Sequence, residues 1–431
     1  MLQQTGTANV FVTFVENPSN VTNVANRRNF KDDSEKRKEV SDSLGALAAS
    51  SQKGVLAYLA GNPRGFKRSQ SFWLTNQVYI EGATPELVLQ LSALPAVARI
   101  EKEEIFKIIE PVTIKYLAPG ASASLQAVEW GVAKINAPDA WSAGFNGTGV
   151  VVGNIDTGVR HTHTALASSY RADSYSWYDP VKKSKTPTDG NGHGTHTMGT
   201  MVGSGGIGVA PGAKWIACRG CGTSSCNSSH LLACLQWMYC PTSGNTKDCS
   251  KAPRVVNNSW GGGQGSTYYA AAINTLKSGG VIPIFSAGNS GPKCGTANSP
   301  GDLPSVIAVG AMDSSDAVAS FSSKGPSVKG LMKPDVSAPG VSVRSAYRTS
   351  DTSYATMSGT SMAAPHIAGL VALLLQEDPT ATYDTIKSKL QDGAVKNLAA
   401  NSYTCSGIPS SVFPNNIYGH GRVNATSSIA L

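Results

Sequence analysis

Cysteine is missing from the first 217 residues of this 431-residue chain, and charge is sparse, with Asp, Glu, Lys and Arg making up only 15% of it. Any disulfide framework is therefore confined to the remainder. No stretch approaches the roughly 18 consecutive apolar residues of a membrane span, so no membrane partner is expected. There is no basic tail either. The excess of basic over acidic residues is two across positions 1–125 and six across the rest, and the run Lys36-Arg37-Lys38 is interleaved with acids as on a solvated helix face. Nucleic acid is thus not an expected partner. A secretory h-region is also missing, because the first apolar run, Val10 to Val15, is short and broken by Thr13. What is abundant forms turns: 45 glycines and 23 prolines, in a chain too long for one small domain.

The stretch Ser358-Gly359-Thr360-Ser361-Met362-Ala363-Ala364-Pro365-His366 puts a serine at the mouth of an apolar helix that carries Leu370 to Leu375. Neighbours this small let another chain approach closely, and the unpaired N–H groups of a first helical turn suit an oxyanion. A capping serine would look the same in isolation. Two upstream segments alter that balance. Val150-Val151-Val152-Gly153-Asn154-Ile155-Asp156-Thr157-Gly158 reads as a buried strand ending in an acid and a glycine turn, which sets Asp156 where open α/β sheets hold their sites. Asn191-Gly192-His193-Gly194-Thr195-His196 places a histidine among glycines at the start of a small-residue helix.

Asp156, His193 and Ser361 stand in the chain order of the subtilisin triad. With these segments the chain resembles the subtilisin-like serine peptidases, the subtilases, and the likeness reaches further. Asn257-Asn258-Ser259-Trp260-Gly261-Gly262 resembles the family's substrate-binding strand, Ser286-Ala287-Gly288-Asn289 its oxyanion segment, and Lys333-Pro334-Asp335-Val336-Ser337-Ala338-Pro339-Gly340 a late strand and turn. The resemblance implies that His193 takes the proton of Ser361, that Asp156 orients the imidazole, and that the Ser361 N–H and the Asn289 amide hold the oxyanion. It also implies an S1 pocket walled by Ser259, Trp260 and Gly261 on one side and Ala287 and Gly288 on the other. Those walls are uncharged, so medium or large uncharged P1 residues are expected. The implied fold is α/β, a mainly parallel sheet with helices on both faces.

Rival hydrolase readings are weaker. An aspartic peptidase needs two carboxylates sharing a proton, and no second Asp-Thr-Gly or Asp-Ser-Gly accompanies Asp156. Acid-active relatives that use a glutamate as base are disfavoured by His193. His161 and His163 invite a metal hydrolase, but no third ligand stands at an obvious spacing. No cofactor is required; calcium is an open structural ion, and Pro300, Asp302 and Asp335 lie where some relatives bind one.

Residues 1–112 have a logic of their own. Asn9 to Val15 alternates like a strand, Ser34 to Ser51 reads as a helix, Ser71 to Thr75 and Gln77 to Ile80 as strands, Thr84 to Leu94 as a helix and Val97 to Glu101 as a last strand. That order, βαββαβ, is ferredoxin-like. Placed before a subtilase domain it resembles the family's propeptide, which implies an inhibitor whose tail threads the active cleft. Residues 113–126, with Ala118-Pro119-Gly120 and little to fold, are the expected processing linker, with a mature start near Leu125. Residues 127–431 form the expected catalytic domain. Tyr418 to Asn424 resembles its closing element, and no further domain is expected.

The eight cysteines, Cys218, Cys221, Cys226, Cys234, Cys240, Cys249, Cys294 and Cys405, form an even set that suggests disulfides in an exported protein, with the pairing left open. A zinc knuckle at Cys218-Arg219-Gly220-Cys221 is the rival reading. The expected protein is a secreted, monomeric, self-inhibited serine endopeptidase whose partners are protein or peptide substrates and its own propeptide, a signal sequence having been removed. A catalytically silent binding or inhibitory protein on the same fold is the alternative.

Overall fold

The computed structural model describes residues 6–117 and 128–430. At the amino-terminal end β1 (Ala8–Phe14), α1 (Asp33–Ser51), α2 (Lys53–Gly61), β2 (Arg68–Phe72), β3 (Gln77–Ala83), α3 (Pro85–Ser92) and β4 (Val97–Lys102) build an antiparallel sheet in the order β2-β3-β1-β4. This is the ferredoxin-like strand order. Alternation sorts the side chains by face, as the period of a strand requires. Val10, Val12, Val78 and Ile80 pack with Val55 and Leu59 of α2 and Leu87 and Leu91 of α3. Phe11, Phe72 and Tyr79 point the other way, into a core shared with the rest of the chain.

Two local features differ from the sequence reading. The strand expected over Ser71–Thr75 runs instead over Arg68–Phe72, because Asn76 adopts a left-handed turn (φ 49°) that ends the pairing at Phe72. Helix α2 was not anticipated, although it fills the sheet's outer face while α1 contributes Val40 and Leu44 to the shared core.

The second sheet is wholly parallel. Its strands are β7 (Val151–Asp156), β8 (Trp177–Tyr178), β9 (Lys214–Arg219), β11 (Val255–Asn258), β13 (Ile282–Ser286), β14 (Ile307–Met312) and β15 (Val336–Pro339), in the order β15-β14-β13-β11-β7-β9-β8. Such strands are buried on both faces, which explains runs like Val150–Val152. One face carries α4 (His193–Val202) and α7 (Thr360–Glu377), packed through Met198, Val202, Ile367 and Leu370. The other carries α5 (Ser228–Tyr239) and α6 (Ala270–Ser278), whose Leu231, Leu235, Ile273 and Leu276 join the core containing Phe11 and Tyr79.

Polar contacts fasten the amino-terminal sheet to those helices. Glu103 accepts from the Ser229 N–H (3.3 Å) and hydroxyl (2.5 Å) in the first turn of α5, where a helix dipole favours an anion. Arg37 of α1 donates to the Gly279 carbonyl just past α6 (2.7 Å) and to the Cys249 carbonyl (3.1 Å).

Between the two sheets the chain continues as β5 (Ile105–Ile108) and β6 (Thr113–Tyr116). β5 lies between β10 (Ser225–Asn227) and β12 (Trp260–Gly261), antiparallel to both. β6 pairs with β17 (Tyr354–Ser358), itself in a hairpin with β16 (Val343–Ala346). Thr113–Tyr116 had been expected to be unstructured linker; the unpaired edge of β17 gives its backbone a partner instead. Leu125 lies outside the described residues.

Candidate active site

Asp156 closes β7 and is 1% exposed; Thr157 caps its Oδ1 with a main-chain N–H at 2.7 Å. The turn that follows requires glycine, since Gly158 has φ +103° and a Cβ there would sit 1.8 Å from the Thr188 carbonyl oxygen. Helix α4 begins at His193, fully buried, whose Nδ1 meets Asp156 Oδ1 at 2.8 Å and Oδ2 at 3.0 Å. Burial opposes the imidazolium, but the charge and hydrogen bond of Asp156 outweigh it and raise the His193 pKa above its usual value. The other ring nitrogen, Nε2, has no hydrogen-bond partner among the described residues.

Ser361 is the second residue of α7, in the turn whose N–H groups lack intrahelical acceptors. Its hydroxyl donates to the Ile109 carbonyl at 2.6 Å. Asn289 follows a left-handed Gly288 (φ +109°), where a Cβ would fall 1.9 Å from Asn298 Oδ1. Thr360 donates both its N–H (2.9 Å) and its hydroxyl (2.8 Å) to Asn289 Oδ1, which turns Nδ2 into the cleft, 2.8 Å from the Glu110 carbonyl. Ser361 and Asn289, far apart in sequence, thus meet residues 109 and 110, and the Glu110 charge also acts on the Asp156-bound His193.

The predicted pocket walls line the same segment. Ser259 accepts the Ile109 N–H at 2.9 Å, while Gly261 and Trp260 pair with Lys107 and Ile108. Ala287 is buried at the end of β13, its carbonyl held by the Asn298 N–H. The Trp260 ring belongs to an aromatic cluster. It packs on Phe106 (centroids 6.4 Å) and Tyr269 (5.3 Å), so its side chain serves a second pocket, three residues upstream. Tyr268 and Tyr269 complete that pocket. Sequence reasoning missed it, although the Tyr268-Tyr269 pair beside a glycine-rich loop was a signal.

The calcium reading is corrected. Asp335, nearly buried, gives Oδ2 to Lys333 Nζ (2.8 Å) and Oδ1 to Lys387 Nζ (2.6 Å), so two ammonium groups stand where a metal ion would bind. Although burial raises it, these lysines hold the Asp335 pKa below the usual carboxylate range. Asp302 instead accepts from Ser299 Oγ (2.8 Å) and the Gly265 N–H (2.6 Å). Pro300, Asp302 and Asp335 therefore do not fit a calcium ion, and the described residues hold no cluster of three or more metal-type ligands. His161 and His163 bond main-chain carbonyls of Pro187 and Ser353. The zinc reading falls as well, because Cys218 pairs with Cys234 and Cys221 with Cys226, beside Cys240–Cys249 and Cys294–Cys405.

A profile described as the Subtilase family matches residues 147–421, which span every one of these site segments except β5. This chain belongs to the subtilase family. The subtilase is 37% identical over 429 residues to Bacillopeptidase F of Bacillus subtilis (strain 168), covering 93% of this chain and 29% of that relative's length. It is 36% identical over 296 residues to Subtilisin DY of Bacillus licheniformis, covering 66% of this chain and 97% of the relative. Among solved structures, fervidolysin from Fervidobacterium pennivorans, described as a keratinolytic enzyme related to subtilisin, superposes with a TM-score of 0.67 at 22% identity. That match covers 99% of this chain and 61% of the other, and so supports the fold of both sheets.

Proposed function

We propose that this subtilase is a secreted serine endopeptidase made as a self-inhibited precursor, with Asp156, His193 and Ser361 as its triad and Asn289 as an oxyanion donor. One observation carries the reading: the Ile109 carbonyl lies 2.6 Å from Ser361 Oγ, beside a histidine already oriented by Asp156. His193 Nε2 takes the Ser361 proton as Oγ attacks the Ile109 carbonyl carbon. The proton then passes to the amine of Glu110 as the Ile109–Glu110 bond breaks, and water repeats the sequence on the acyl-enzyme. The bond to be cut thus lies ahead of the linker assigned from composition.

Residues 1–109 are the inhibitor in this reading. β5 fills the cleft as a product would, and Glu103 and Arg37 anchor the domain behind it. Ile109 agrees with a preference for uncharged residues at the cut, and Phe106 with an aromatic preference three residues before it. Four disulfides with no free cysteine favour an oxidising, extracellular setting, and no helix among the described residues is long and apolar enough to cross a membrane. Protein or peptide substrates and the chain's own amino-terminal domain are the partners, acting on a monomer.

The test follows the purified chain and Ser361→Ala by intact mass while each is offered a fluorogenic peptide. Wild type should split after Ile109 and gain activity as the mutant stays whole and inert. If both remain whole and inactive even after another protease removes residues 1–109, the peptidase reading is wrong.

A further inference from the structure

β6 is an odd strand to find ordered. All four of its residues, Thr113 to Tyr116, are exposed, so burial of side chains does little to hold it. Its main chain holds it instead. Thr113, Ile114, Lys115 and Tyr116 pair in antiparallel register with Ser358, Met357, Thr356 and Ala355, and the Val112 and Leu117 N–H groups bond the carbonyls of Ser358 (2.7 Å) and Tyr354 (3.3 Å) at either end. Side chains add only the Thr113–Ser358 hydroxyl contact (2.7 Å) and a Tyr116 ring 5.3 Å from that of Tyr347. Pairing of this kind does not depend on sequence.

The other side of that pairing is β17, which without β6 would be the open edge of a two-stranded hairpin. An open edge is a template for any extended chain. β17 ends at Ser358, three residues before Ser361, and the segment seated on it leads away from the Ile109 carbonyl as far as the seventh residue beyond. The cleft occupied by β5 on one side of Ser361 therefore continues, on the other, as a second strand-binding edge.

We propose that the edge of β17 is a binding site for the leaving-group side of extended polypeptide substrates, engaged by main-chain pairing out to about the seventh residue past the cut bond. The inference rests on the reading of the cleft segment as a substrate mimic. It makes long, unfolded polypeptides the preferred class over short peptides. It also makes residues 113–116 a competitor for substrate after the first cut.

The experiment uses the full chain after it has activated itself, and a Lys115→Pro variant in which the exposed strand loses a pairing N–H. Quenched fluorescent peptides share one acyl side and carry leaving sides of two, four or eight residues. A further eight-residue version is N-methylated beyond its second leaving-side residue. Hydrolysis of the shortest peptide by wild type and not by Ser361→Ala establishes the peptidase reading independently of length. The proposal expects kcat/KM to rise on the order of tenfold from the shortest to the longest peptide, and N-methylation to abolish the gain. A rise seen in Lys115→Pro alone also supports it, since the chain's own strand then blocks the edge in wild type. Equal kcat/KM at all lengths in both proteins, or a gain that survives N-methylation, overturns it.

Discussion

Ser361 and Asn289, whose donors must converge on one oxygen to stabilise an oxyanion, bond successive carbonyls: Ser361 Oγ meets Ile109 at 2.6 Å and Asn289 Nδ2 meets Glu110 at 2.8 Å. The cleft chain carries one residue more than the two donors can share. Upstream, Ile109 is fixed by its N–H on Ser259; downstream, Val112 is fixed by its N–H on Ser358. Sliding the downstream part by one residue would bring the Ile109 carbonyl to Asn289, but it would put Pro111, which has no N–H, opposite Ser358.

On the proposed reading, Pro111 would hold the uncut chain out of reactive alignment. Pro111→Ala restores the missing donor, and a hydrogen bond of this kind contributes about 0.5–1.5 kcal/mol, so self-cleavage should speed up several-fold. Intact mass against time measures it. An unchanged or slower rate of cutting after Ile109 would count against the misalignment.

Asn289 has its carbonyl pinned by Thr360, which leaves its amide free to do one thing. Asn289→Ala should lower kcat toward peptides by about 10²–10³-fold with KM little changed, as loss of one oxyanion donor does. A loss confined to KM would assign Asn289 to ground-state binding instead.

The pH dependence follows from His193. Its pKa is raised, chiefly through Asp156 working against burial, and only the neutral ring accepts the Ser361 proton. Self-cleavage should accordingly be slow at and below the usual histidine value of 6.5 and rise as pH climbs through the elevated one. Asp156→Asn removes the charge responsible; the acidic limb should move to lower pH while the rate falls by about 10⁴. A limb that stays in place would mean another group sets it.

The proposed triad was legible because each member sits in a short motif whose glycines and strand end have few other uses. Asp156 and His193 are hydrogen-bonded, and Ser361 and Asn289 bond the neighbouring residues 109 and 110. The resemblance implied that the amino-terminal domain's tail threads the cleft, but which of its residues reach Ser361 was not legible. Phe106 and Ile108 are buried and Ile105 and Lys107 exposed only because β5 is sandwiched between β10 and β12, a long-range pairing that local periodicity does not encode. Composition drew attention to residues 118–120, whereas backbone pairing across more than a hundred residues decides what Ser361 touches. Asp335 misled for a similar reason, since its turn looked like a ligand until Lys387, from a distant helix, was seen beside it.

The Lys333–Asp335 pair, 2% and 6% exposed, should behave as a buried ion pair rather than a metal ligand. Lys333→Ala leaves the carboxylate with Lys387 and the Ala308 N–H, so it should cost less than the about 3–5 kcal/mol of a fully broken buried pair. Because the folded pKa of Asp335 is depressed, its stabilising contribution is present above the unfolded value of 3.8 and is lost as pH falls through the folded one. Urea melts of wild type and Asp335→Asn should therefore converge on acidification below about 3.8. Melts that stay separated by the same gap at low pH would show that charge is not what Asp335 contributes.

Cys221 and Cys226 link Asp156 to the strand β10 that pairs with β5. The Cys221 N–H bonds the Asp156 carbonyl at 3.1 Å, and Cys226, joined to it by a disulfide, stands opposite Phe106 in β10. The bridge closes a loop of few residues, so it restrains the β10 edge locally rather than the whole fold. Replacing both cysteines by serine should leave hydrolysis of a single-residue ester near wild type, because the triad strand β7 is held by its own sheet. Tetrapeptides with Phe in the fourth position before the cut need β10 in place, and for them KM should rise severalfold with kcat nearly constant. Equal losses on the ester and the tetrapeptide would instead locate the effect at Asp156, and no loss on either would mean that β10 keeps its shape unaided.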